Sequence, residues 1–154
     1  MKLYFLRHAD AATQAANDDD RAISKKGIKQ CKRVAKFCRS QGIEPEVILV
    51  SPLLRAQQTA KPVAAALKVP LETVPWLVYE TETEEVLKQL AARSDNSSVM
   101  IVGHQPDFGL LAEALLGSEE GTIRVRKGSL ILLNVSEFRR GGALLEWSIP
   151  AQLI

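Results

Sequence analysis

The chain predicts an α/β sandwich built on a mostly parallel sheet. Short apolar segments alternate with segments of helical period, the pattern of strand–helix–strand units. The early strands are unbroken apolar runs, as expected when helices cover both faces of a sheet. The chain then closes on two strand-like runs joined by a turn, a terminal β-hairpin.

Each element can be justified from its residues. KLYFL at 2–6 is a buried strand, and residues 9–23, with no clear period and an acidic run at Asp18–Asp20, are a loop. Ser24 can cap a helix to about Ser40, ended by Gly42, with Ile28, Cys31, Val34, Phe37 and Cys38 on its apolar side. EVILV at 46–50 is a second buried strand, stopped by Ser51-Pro52. Next comes a helix from about Leu53 to Leu67, with Pro70 as its stop, then a short strand at 71–74. Thr83 is the expected cap of a third helix, about 84–93. SVMIV at 98–102 is a third long buried strand, and Pro106 suits the first position of a helix to about Leu116. LILLNV at 130–135, a turn around Arg139–Gly142 and ALLEWSI at 143–149 make the hairpin.

With 154 residues, 46% hydrophobic and 25% charged, the chain reads as one ordinary globular domain spanning 1–154. A formal charge of +2 gives no reason to expect a nucleic-acid or membrane partner. No run approaches the roughly 20 apolar residues of a membrane span. The N-terminal apolar run is too short for a signal peptide, so the default expectation is a cytoplasmic protein. Cys31 and Cys38, seven apart on one helix, would lie roughly 10 Å from each other, beyond disulfide reach. Both are expected as free thiols. No Cys or His spacing points to zinc.

Ligands of open α/β sheets bind at the carboxyl ends of the strands. After the first strand comes Arg7-His8. After the second come Ser51-Pro52 and then Arg55, and after the strand at 98–102 come Gly103-His104. Both histidines of the chain therefore fall at strand ends. Converging, these residues make an anion site. Arginine forks match phosphate oxygens, and the helix near Pro106 adds its positive end, with the backbone N–H of Gln105 as donor. A neutral His8 can attack phosphorus, and the surrounding cations can stabilise the transferring charge. A zinc site is the weaker reading, because no third ligand is evident and the arginines would repel a metal.

LRHAD (6–10), SPLLRAQQTA (51–60) and VGHQPDF (102–108) resemble the motifs of the histidine phosphatase superfamily, in the order and spacing of its short SixA-like branch. The resemblance covers almost the whole chain. It implies a phosphoglycerate mutase-like fold, a three-layer α/β/α sandwich whose mostly parallel sheet has an antiparallel edge. It also implies that His8 carries a phosphoryl group as an intermediate, that Arg7, Arg55 and His104 complete the phosphate pocket, and that no cofactor or metal is required.

Two positions depart from the family pattern. Ala9 stands where the usual triplet has Gly. Many relatives place an acidic Glu two residues after a Leu, whereas here Leu77 is followed by Val78 and Tyr79, with Glu only at Glu80 and Glu82. Glu80 and Asp10 are the candidate proton donors. An imidazole leaving group needs less protonation than a sugar alkoxide, which favours phosphohistidine as substrate. Short loops at 9–23 and 76–83 favour an open pocket that admits a side chain of another protein. The expected partner is thus a phosphorylated protein, with the enzyme itself a monomer in the simplest case. A broad small-molecule phosphatase and a catalytically silent phosphoprotein-binding domain are the alternatives, with a phosphomutase behind them. Ser51-Pro52 is expected to shape the turn that delivers Arg55, Thr59 to pack, and Asp18–Asp20 to be solvated.

Overall fold

The computed structural model describes residues 1–154. Six strands form one sheet: β1 (Lys2–Arg7), β2 (Val47–Val50), β3 (Leu71–Thr73), β4 (Ser98–Gly103), β5 (Leu130–Val135) and β6 (Ala143–Ile149), in the order β3-β2-β4-β1-β5-β6. The first four strands in that order pair in parallel, and β5 and β6 add an antiparallel edge. Four helices cover it: α1 (Lys25–Ser40), α2 (Leu54–Leu67), α3 (Thr83–Ala91) and α4 (Asp107–Leu116).

Strand side chains alternate between two cores. Tyr4, Leu6, Ile48, Val50, Met100 and Val102 point toward α1 and α2, where Val34, Cys38, Ala56, Ala60 and Val63 receive them. Leu3, Phe5, Leu49, Val99 and Ile101 point toward α3 and α4, onto Leu87, Leu90, Leu111 and Leu115. The sheet is thus the middle of three layers. Both cysteines are buried and free. No helix is long and apolar enough to cross a membrane.

Most boundaries lie within two residues of expectation, and three helix ends are made differently. Pro70 is not what ends α2, because the chain already turns at Lys68, which is left-handed at φ 58°. Thr83 is the first residue of α3 rather than its cap, and the capping position, Glu82, makes no side-chain bond. Pro106 has helical dihedrals but stands one residue before α4.

Candidate active site

The sheet order explains how the strand-end residues meet. β2, β4 and β1 are adjacent and parallel, so their carboxyl ends form one rim. Arg7 is in register with Gly103, and one step further the His8 N–H donates to the Gly103 carbonyl at 3.0 Å. The Ser51 N–H donates to the Val102 carbonyl at 3.0 Å. The His8 and His104 rings lie 5.3 Å apart between centroids. His8, Arg55 and His104 are each at most 5% exposed.

The tautomer and charge of His8 follow from its surroundings. Its Nδ1 lies 2.8 Å from the Ala9 carbonyl oxygen. A carbonyl can only accept, so Nδ1 carries the hydrogen and Nε2 keeps its lone pair. Burial first, and then the charges of Arg7, Arg55 and Lys127, push the pKa of His8 down to about 4. The ring is therefore neutral at ordinary pH. His104 is pushed down to about 3 by burial, His8 and both arginines.

Three donors around it are left over. Arg7 Nε, Arg55 Nε and His104 Nδ1 are buried and have no hydrogen-bond partner in the protein. Buried donors are costly unless paired, and this set suits the oxygens of a bound oxyanion. Other atoms of these groups are tied to the protein. Arg7 Nη1 donates to the Val125 carbonyl at 2.7 Å. Arg55 donates from Nη1 to the Asp18 carbonyl at 2.7 Å and from Nη2 to Asp18 Oδ2 at 3.0 Å. His104 Nε2 lies 2.7 Å from Ser51 Oγ, and that oxygen accepts the Leu53 N–H. With the Ser51 hydroxyl hydrogen turned to Nε2, His104 Nδ1–H remains as a donor.

Comparison with known proteins identifies the family. The model of the histidine phosphatase superfamily (branch 1) matches residues 3–78. The phosphohistidine phosphatase SixA of Escherichia coli is 33% identical over 123 residues, 77% of this chain and 76% of its own. The chain belongs to the histidine phosphatase superfamily. A solved protein histidine phosphatase SixA, complexed with tungstate, superposes with a TM-score of 0.90 at 28% identity, over 99% of this chain and 98% of that one. The α-ribazole phosphatase of Shigella flexneri shares the fold at a TM-score of 0.81 and 17% identity, over 98% of this chain and 97% of that one.

The other residues expected at the site of this histidine phosphatase differ in how they are engaged. The Gln105 N–H has no partner in the chain, while its side-chain Oε1 accepts the Gly109 N–H at 3.2 Å. Asp10 is fully engaged: Oδ2 accepts from Ser24 Oγ at 2.7 Å and Oδ1 from Lys127 Nζ at 3.1 Å. Ser24 above all, with Lys127, holds this carboxyl below the usual range. That engagement argues against the proton-donor role expected for Asp10. Glu80 is exposed and left-handed at φ 64°, its N–H donating to Asp107 Oδ1 at 3.2 Å. No three His, Cys, Asp or Glu side chains converge to hold a metal ion.

Sequence reasoning missed five participants. Asp18 is not merely solvated but grips Arg55; slight burial opposes its ionisation, and Arg55 and Arg21 outweigh it. Ser51 orients His104 as well as shaping a turn. Thr59 does more than pack: Oγ1 accepts the Ala9 N–H at 3.0 Å and donates to the Arg55 carbonyl at 2.7 Å, tying the two motifs together. Its placement four residues after Arg55 was the available signal. Tyr79 stands edge-on to His104 at 6.1 Å, with the Arg55 guanidinium 6.0 Å from its ring and its hydroxyl donating to Asp19 at 2.9 Å. Asp107 has a buried, partnerless Oδ2, and burial raises its pKa.

Proposed function

We propose that this protein is a metal-independent phosphatase that removes the phosphoryl group from phosphohistidine on another protein, through a covalent intermediate on His8. The observation that carries the reading is the neutral His8 with a free Nε2, set among three buried donors without partners. In the first step Nε2 attacks phosphorus, the bond from phosphorus to the leaving nitrogen breaks, and that nitrogen takes up a proton. Arg7, Arg55, His104 and the Gln105 N–H hold the equatorial oxygens. Water then attacks the phosphoryl group on His8, the Nε2–phosphorus bond breaks, and inorganic phosphate leaves with the ring restored. Fixed cations supply the charge stabilisation that a metal gives elsewhere, and they would repel one placed among them.

Of the carboxyls near the pocket, Asp107 has the environment of a proton donor, because burial favours its protonated form. Its Oδ1 also pins the strained Glu80 backbone, which keeps Glu80 beside the same rim. The similarity to SixA and the short segments framing the pocket support a protein-borne substrate. Two buried free thiols suit a reducing compartment, and the cytoplasm is the location we assign.

The test is a parallel assay of wild type and His8→Ala on a histidine-phosphorylated protein and an aryl phosphate, with a chelator present. Faster turnover of the phosphoprotein, abolished by the substitution, is expected. Activity confined to the aryl phosphate would move the substrate to small molecules, and activity on neither would leave a phosphoprotein-binding domain.

A further inference from the structure

The small net charge of the chain conceals an uneven distribution. Seven of its 20 basic residues lie on α1, which has no acidic residue, and the remaining 13 basic residues face 18 acidic ones. All seven are exposed and none forms a salt bridge. Lys25 and Lys26 occupy the first helical turn, where the helix dipole disfavours cations. Lys29, Lys32, Arg33, Lys36 and Arg39 continue along the face opposite the buried residues Gln30, Cys31, Val34 and Cys38. Lys25 with Lys29, Lys29 with Arg33, and Lys32 with Lys36 are like charges four apart, and each pair weakens the helix. A single-sign stripe of this kind suits the steering of an oppositely charged partner.

The stripe starts at the active site. Ser24, which caps α1, bonds Asp10, two residues after His8. Gly27 packs so closely that a Cβ there would lie 2.1 Å from the Asp10 carbonyl oxygen. Lys127, paired with Asp10, carries positive charge across to the segment holding Arg124 and Arg126. From that rim α1 runs about 24 Å.

We infer that the outer face of α1 is a docking surface for an acidic protein face flanking the phosphorylated side chain. The substrate part of this inference rests on the protein phosphohistidine reading above. An anionic partner relieves the repulsion along the stripe and brings its phosphoryl group to His8. A membrane fits less well, because the apolar side of α1 is committed to the core and leaves only Ile28 exposed to insert. A nucleic acid fits less well, because the rest of the chain is net negative and no exposed aromatic accompanies the cations.

The test uses the whole protein, wild type and a Lys29→Glu/Arg33→Glu/Lys36→Glu variant, with the corresponding triple Gln variant as a milder control and circular dichroism to verify folding. Binding of a polyglutamate peptide, a DNA duplex and phosphatidylserine-containing vesicles is titrated at low and high salt. Turnover is measured in parallel on a histidine-phosphorylated acidic protein and on phosphoimidazole. Wild type is expected to bind polyglutamate best, and salt and the Glu variant each to weaken that binding at least about ten-fold. The Glu variant should raise KM for the phosphoprotein and leave phosphoimidazole turnover unchanged. Equal polyglutamate binding by the folded Glu variant would overturn the inference, as would preferential binding of DNA or vesicles. The binding arm decides the surface, whereas failure of wild type to hydrolyse any phosphoprotein would strike the substrate reading alone.

Discussion

Replacing His8 with Gln should flatten the acid limb of the protein's stability curve. Unfolded, His8 takes up a proton near its ordinary 6.5; folded, it does so only near 4. Between those values the unfolded chain binds the extra proton, so pH works on the unfolded side of the equilibrium. Stability is therefore complete above about pH 6.5 and falls as pH drops through the window down to about 4. At about pH 5 the loss due to this one ring is about 2 kcal/mol relative to about pH 7.5. Urea unfolding at those two pH values measures it. Other groups, His104 and the paired carboxylates among them, also weaken the fold in acid, so the informative quantity is the difference between wild type and His8→Gln. Wild type should lose about 2 kcal/mol more than the variant. Equal losses would mean that His8 is not held neutral by its burial and its cationic neighbours, and would undermine its assignment as a ready nucleophile.

Arg55→Ala should lower kcat by about a hundred-fold or more, as loss of an oxyanion donor does elsewhere, and steady-state kinetics reads it directly. Arg55→Lys should not rescue it, because a single ammonium cannot both reach the Asp18 carbonyl and carboxylate and present the Nε edge to phosphate; full rescue would show that charge alone suffices. Thr59→Val removes the acceptor of the buried Ala9 N–H and should cost about 1–3 kcal/mol. Thermal melting should fall by several degrees and turnover should fall with it, while Thr59→Ser keeps both; an unchanged Tm would show that this bridge carries little.

The positions of the central residues were legible because they depend on few interactions. A buried apolar run ends where the chain must leave the sheet, and the residues just beyond that run lie at the sheet edge. Arg7, His8, Ser51, Gly103 and His104 could therefore be placed from sequence. Their meeting also required β2, β4 and β1 to be neighbours, a strand order that periodicity does not carry and that the folded sheet shows. The partners of these residues were less legible. Asp18 reaches Arg55 across 37 residues because the 9–23 loop folds back over α2, and nothing local in a run of three aspartates marks which one does so. Tyr79 and Asp107 meet the site through loop packing, and the raised pKa of Asp107 arises from surroundings that form only on folding. The basic face of α1 was fully visible in the sequence but was averaged away by the net charge.

Rapid acid-free quenching of the enzyme during turnover of a phosphorylated substrate, with peptide mass analysis of the product, tests the covalent step most directly. A phosphoryl group on His8 that is labile to acid and absent from His8→Ala is the expected result. A phosphoenzyme on another residue, or undiminished turnover by His8→Ala, would contradict the nucleophilic role of His8.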